Sequence, residues 1–211
     1  MNASLRSSFS SRSPRHFGLL VAILLTQFAA SPLSAMIIVV IPGIEGSVTV
    51  GDLKFSSAFV ADSFSFGVER EMKESGEKGG TEDINIGVGE LQECTISKSM
   101  DRGSSLLAQF AINGNSPGTA EIYFVETAGS SGKPYVYLKY KLGRCFVKSW
   151  LTSGDADDRP TEEVAFYFNR IAFIHRTSTD GMTFETYDPA GWDRVTQTPW
   201  TEVSFDPEEP R

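Results

Sequence analysis

A mainly β domain is what this sequence predicts, a barrel or a highly twisted sandwich, and three observations carry the prediction. In the stretch Pro160–His175, Val164, Phe166 and Phe168 alternate with Ala165, Tyr167 and Asn169, the period of two that marks a strand with one face on a core. The apolar phase then slips to Ile171, Phe173 and His175, which requires a bulge or bend near Asn169–Arg170 and makes this a long, bent strand. Fifteen Phe and 19 Gly, with many Ser and Thr, favour strands joined by tight turns.

The elements follow in order. Met36–Ile41 is apolar at every position, a strand covered on both faces, and Pro42-Gly43 ends it. Ile44–Ser47 turns the chain into strands at Phe55–Val60 and Ser63–Val68. Glu69–Asp83 is charged and Gly-rich, with almost nothing apolar, and is expected to be a long mobile loop. Ile84–Met100 resumes the strand pattern. Asp101–Asn113 is the one expected helix: Asp101 or Ser104 can cap it, Leu106, Leu107, Phe110 and Ala111 share a face, and Gly114 stands at its stop. Ala120–Glu126 and Tyr135–Leu142 form a hairpin, and Arg144–Thr152 continues as another strand. Asp180-Gly181 turns the chain into a strand at Met182–Tyr187.

Residues 1–35 differ from the rest. Arg6, Arg12 and Arg15 precede the apolar run Leu19–Ala30, then Pro32 and Ser34-Ala35, with no acidic residue before Glu45. That order suits a secretory signal peptide cleaved after Ala35, although Leu33 is large for its place; the alternative is a start at Met36. The run is short for a bilayer span, so no stable membrane insertion is expected once the leader is removed. The folded domain is expected over 36–200, followed by a flexible acidic tail at 201–211.

A net charge of −8 argues against nucleic acid as a partner. No catalytic, cofactor or metal residues are assigned. After the leader the single histidine is His175, with no motif supplying the nucleophile and orienting acid a catalytic base needs. Cys145 has Arg144 and Lys148 nearby, but a cysteine in a strand is ordinarily a buried thiol. Cys94 and Cys145 are open between a disulfide and two free thiols. Two cysteines and one histidine need a carboxylate to complete a zinc site, and none is placed by the spacing. Asp155, Asp157 and Asp158 lack the glycine and terminal glutamate of a calcium loop. Gly87-Val88-Gly89-Glu90 lies in a strand pattern with no following Lys-Ser or Lys-Thr.

Five pieces in order resemble one family. Ile44-Glu45-Gly46-Ser47 is similar to its opening, Phe64-Ser65-Phe66-Gly67-Val68 to its aromatic strand, and Thr95–Asp101 with the helix through Gly114 to its strand-Lys-x-x-Asp-helix segment. Pro160-Thr161-Glu162-Glu163-Val164, with Phe168 and Ile171, and Gly191-Trp192-Asp193 resemble its last two motifs. The family is Hcp, the haemolysin-coregulated tube proteins of type VI secretion. The resemblance implies a β-barrel of two packed, antiparallel-rich sheets with one flanking α-helix. It also implies homo-hexameric rings stacked into a tube, contacts with the secretion apparatus and effector proteins, and no catalysis. The loop at Glu69–Asp83 is implied to contribute to contacts between stacked rings. The chain departs from the pattern in its leader, in Ser47 directly after Gly46, and in a tail that runs past the usual end. The leader implies a secreted or periplasmic protein; a start at Met36 implies a cytoplasmic one before export. A monomeric secreted binding module on the same barrel is the alternative.

Overall fold

The computed structural model describes residues 35–74 and 84–205, all within one compact unit. The strands are β1 (Met36–Val40), β2 (Ser47–Val50), β3 (Leu53–Ser56), β4 (Ala58–Ala61), β5 (Ser63–Ser65), β6 (Val68–Glu74), β7 (Ile84–Leu91) and β8 (Cys94–Ser99). The helix α1 (Ser104–Asn113) separates these from β9 (Gly118–Thr127), β10 (Pro134–Ser153) and β11 (Thr161–Thr177). The chain closes on the short β12 (Glu185–Thr186), β13 (Ala190–Asp193) and β14 (Thr198–Pro199).

One antiparallel path runs β14-β13-β11-β10-β9-β1-β4. One edge of β11 pairs with β10 along its length. The other serves three strands in turn: β8 at Thr161–Phe166, β13 at Arg170–Phe173 and β12 at Arg176–Thr177. β4 borders β1, and β5, one residue further on, borders β8. The Asp62 N–H, bonded to Ser97 O at 2.8 Å, spans that corner. The expectation of a mainly β fold with one helix holds. The expected closed barrel of two sheets is instead one ten-stranded sheet folded back on itself, because the chain changes pairing partners at Asp62 and leaves no unbroken ring of ladders.

The bend expected at Asn169–Arg170 is present, and β10 bends with it. Leu142 pairs with Ile171 and Cys145 with Phe168, all four on the main core, so both strands turn over between these pairs. Arg144 takes φ +50°, and Arg170 Cγ lies 2.6 Å from where a Cβ on Gly143 would stand, so only glycine leaves room for that side chain. A second slip, on β10 alone, inserts Lys148 between Val147 and Ser149.

The main core joins Val39, Ile96, Ile122, Leu142, Phe166 and Phe168 to the apolar face of α1 through Leu107. Gly114, at φ +68°, ends the helix and donates its N–H to Phe110 O. The β2–β3 hairpin covers the outer face of β1 and β9, packing Phe55 on Ile38 and Tyr123. β1 is therefore sandwiched, as its unbroken apolar run requires.

Several expectations change. Phe55–Val60 is broken at Ser57, whose φ of +52° separates β3 from β4. Ser63–Val68 is likewise interrupted after Ser65. Residues 69–74 of the expected loop are strand, because β7 offers them a partner from Val68↔Leu91 to Glu74↔Ile84; 75–83 lie outside the described residues. Only Glu185–Thr186 of the expected strand Met182–Tyr187 pairs, because the Asp180 carboxylate accepts the N–H groups of Met182 and Thr183 and holds them in a turn. In the expected tail, Val203 is buried and Phe205 packs beside it; 206–211 lie outside the described residues.

Candidate functional site: a buried ion pair and the surfaces around it

Cys94, Ile96 and Lys98 share one phase of β8, and Glu162, Val164 and Phe166 share one phase of β11, so a lysine and a glutamate are carried inward with the core. Both are fully enclosed, Lys98 0% and Glu162 2% exposed. Lys98 Nζ donates to Glu162 Oε1, to Ser99 O at 3.0 Å and to Ser104 Oγ at 3.2 Å, with Asp101 Oδ1 at 2.9 Å. Ser104 Oγ donates to Glu162 Oε1 at 2.8 Å and accepts the Asp101 N–H at 2.9 Å. Trp150 Nε1 donates to Glu162 Oε2, 2.8 Å, and the ammonium lies 5.1 Å over the Phe59 ring.

A buried charge is tolerable only when paired and hydrogen-bonded, and here each oxygen of Glu162 has a donor. The cluster ties β8, β10 and β11 to the start of α1. It also explains the missing helix cap. Gly103 occupies the N-cap and has no side chain to bond, while the two candidate caps are engaged elsewhere: the Ser104 hydroxyl with Glu162, and the Asp101 carboxylate with the Gly103 N–H. Two of the motifs noted in the sequence meet in this cluster, Thr95–Asp101 and Pro160–Val164. Sequence reasoning did not bring them together; opposite charges on inward phases of two strands were the available signal.

A cavity of about 860 Å³ opens at the foot of the β6–β7 hairpin, with Glu69, Glu90, Leu91, Trp192 and Gln197 among its lining. Arg194 also lines it, but its guanidinium donates to Leu91 O at 2.8 Å and lies over Tyr167 at 4.9 Å. On the outer face of β10 and β11, neighbouring Phe146 and Tyr167 are 37% and 45% exposed, and Leu151 is 60% exposed. Of the three, Tyr167 carries the Arg194 guanidinium on its ring.

The residues weighed for chemistry fall apart in space. His175 is exposed and stacked on Tyr187, ring centroids 4.4 Å apart. Cys94 and Cys145 are buried free thiols, so the disulfide is not formed. Burial pushes the Cys94 thiol from 9.0 up to about 12 and raises Cys145 as well, the reverse of a thiolate nucleophile. Asp155 and Asp158 accept backbone N–H groups of their own turn. Gly87–Glu90 lies within β7. Among the described residues no three His, Cys, Asp or Glu side chains gather to hold a metal ion, and no helix is long and apolar enough to cross a membrane.

The family model described as type VI secretion system effector, Hcp, matches residues 39–175. Among solved structures, one titled as a type six secretion system protein superposes with a TM-score of 0.68 at 20% identity, covering 79% of this chain and 100% of the other. Hcp1 from Salmonella typhimurium gives 0.58 at 17%, covering 79% and 99%. A type VI secretion system effector from Yersinia pestis gives 0.53 at 16%, covering 74% and 98%. At these identities the superpositions speak for the fold alone. No curated protein sequence matches. With the family model matched over more than half its length, the chain belongs to the Hcp family of type VI secretion system effectors.

Proposed function

We propose that the chain is a structural, self-assembling protein that forms hexameric rings, stacks them into tubes, and serves type VI secretion and the export of effectors without catalysis of its own. Family membership over residues 39–175 carries the reading. The exposed Phe146, Tyr167 and Leu151 support it, since exposed apolar groups are what an interface between copies buries. Size-exclusion chromatography with light scattering tests it. A mass near six protomers is expected, falling toward one in Phe146→Glu; a strict monomer at high concentration would sink the reading. The charged hairpin is assigned to contacts between stacked rings. Deleting Lys73–Gly80 should then leave single rings and abolish tubes in native mass spectrometry; unchanged stacking would sink the assignment.

Residues 1–35 are assigned as an export leader, which predicts a precursor beginning at Met1 inside the cytoplasm and an intact mass beginning at Met36 outside it; a chain beginning at Met36 inside would overturn the assignment. The second reading is a monomeric secreted binding module. The cavity at the foot of the hairpin favours it, because carboxylates beside an indole suit a cationic partner. A monomer that binds an oligolysine peptide through this cavity would select it over the ring.

A further inference from the structure

The family match stops at His175, and the chain beyond returns over the outer face of β11. Trp200 and Val203 rest on Ala172 and Ile174, with Phe205 packed beside them. Arg176 is held between two rings, its Cζ 3.9 Å from the Phe184 centroid and 4.2 Å from that of Phe205, and its Nε donates to Val136 O at 2.7 Å.

The backbone does little of this holding. After the two-residue β14, the Trp200 N–H reaches Gly191 O at 3.2 Å, and the Val203 N–H bonds within the segment to Thr201 O. The seat is also imperfect. Arg170 Nε and Trp200 Nε1 are buried without a hydrogen-bond partner, in the same contact that puts Arg170 Cζ 4.7 Å over the Trp200 ring. The turn leading in is strained: Gln197, which is not glycine, takes φ +57°. A segment fixed by side chains, incompletely satisfied and entered through a tight strained turn, is disposed to exchange between copies.

We propose that residues 198–205 form a strap that passes from one copy to the next, where its Trp200, Val203 and Phe205 lie on Ala172, Ile174 and Arg176 of the second copy. The occupant is set by fit, since each contact made within one chain can be remade between two. Extended, the strap spans up to roughly 27 Å, enough to reach an adjoining molecule. The proposal deepens the self-assembly reading and rests on it, naming the segment that crosses.

Two variants of the full chain test it, each adding one cysteine to the buried Cys94 and Cys145: Ala172→Cys and Val203→Cys, co-expressed and treated with a short bis-maleimide. Exchange brings these two thiols together on different copies, so a covalent heterodimer absent from the parent chain is expected. Gln197→Gly, which relaxes the turn, should lower its yield several-fold. The double variant Ala172→Cys/Val203→Cys, alone and dilute, should cross-link internally and shows that the chemistry works. Internal cross-linking with no heterodimer overturns the strap exchange. If light scattering in that same sample still gives a mass near six protomers, ring assembly stands and only the exchange has failed.

Discussion

The two ends of β11 bury cations in opposite ways. At its start, Lys98 and Glu162 sit inside the sheet with each carboxylate oxygen satisfied and four elements converging on them. At its other end, Arg170 and Arg176 are laid against the rings of Trp200, Phe184 and Phe205, and two donors have no acceptor. A directional cluster admits one arrangement of its parts, whereas ring faces accept a cation over a range of positions. The first end therefore fixes register, and the second holds a covering segment that can shift.

The largest effect should come from Glu162→Ala. It leaves Lys98 enclosed without its carboxylate and should cost about 3–5 kcal/mol, read from urea unfolding. Replacing both residues by leucine should recover much of that loss. A cost under about 1 kcal/mol for the single change would erase the contrast between the two ends. Next comes Gly191→Ala, whose added Cβ would run into the carbonyl oxygens of Trp200 and Ile171; a loss of about 1–3 kcal/mol is expected in the same assay. Arg176→Leu keeps the apolar stem but removes the charge from two rings, and should cost about 1–2 kcal/mol. Trp200→Phe removes an unpartnered N–H and should stay within about 1 kcal/mol of the parent, toward stabilisation. A large loss there would mean that the packing of the indole outweighs the cost of its unpartnered N–H.

The smallest effect at neutral pH belongs to the cysteines between the two ends. Because burial raises the folded Cys94 thiol from 9.0 to about 12, its neutral form contributes stability below pH 9 that is lost as pH climbs toward 12. Native protein at pH 8 should resist a thiol reagent until it unfolds. Rapid labelling would show that the core around Cys94 opens.

Much of this architecture was legible because strand periodicity reports burial directly. The alternation at Val164–Phe168, the slip near Asn169 and the two-faced run at Met36–Ile41 each have a structural counterpart. The helix was readable from its apolar face and its Gly114 stop, but its cap was not, since the Ser104 hydroxyl answers to Glu162 far along the chain. The β6 strand was hidden for a related reason. Its charged residues look like loop until β7 is known to pair with them, and pairing is a tertiary fact. The Lys98–Glu162 contact was hidden similarly: each motif was visible, and only the register Glu162↔Lys98 joins them.

The turnover shared by Gly143-Arg144 and Asn169-Arg170 has a consequence for how this protein can vary in length. Because the β10–β11 plank shows one side to the interior before the crossing and the other side after it, losing a single residue there would turn the greasy side of an entire arm toward water. Residues can be added or removed in the connection after Ser153 without disturbing either arm, so drift in size belongs at that tip and not at the crossing.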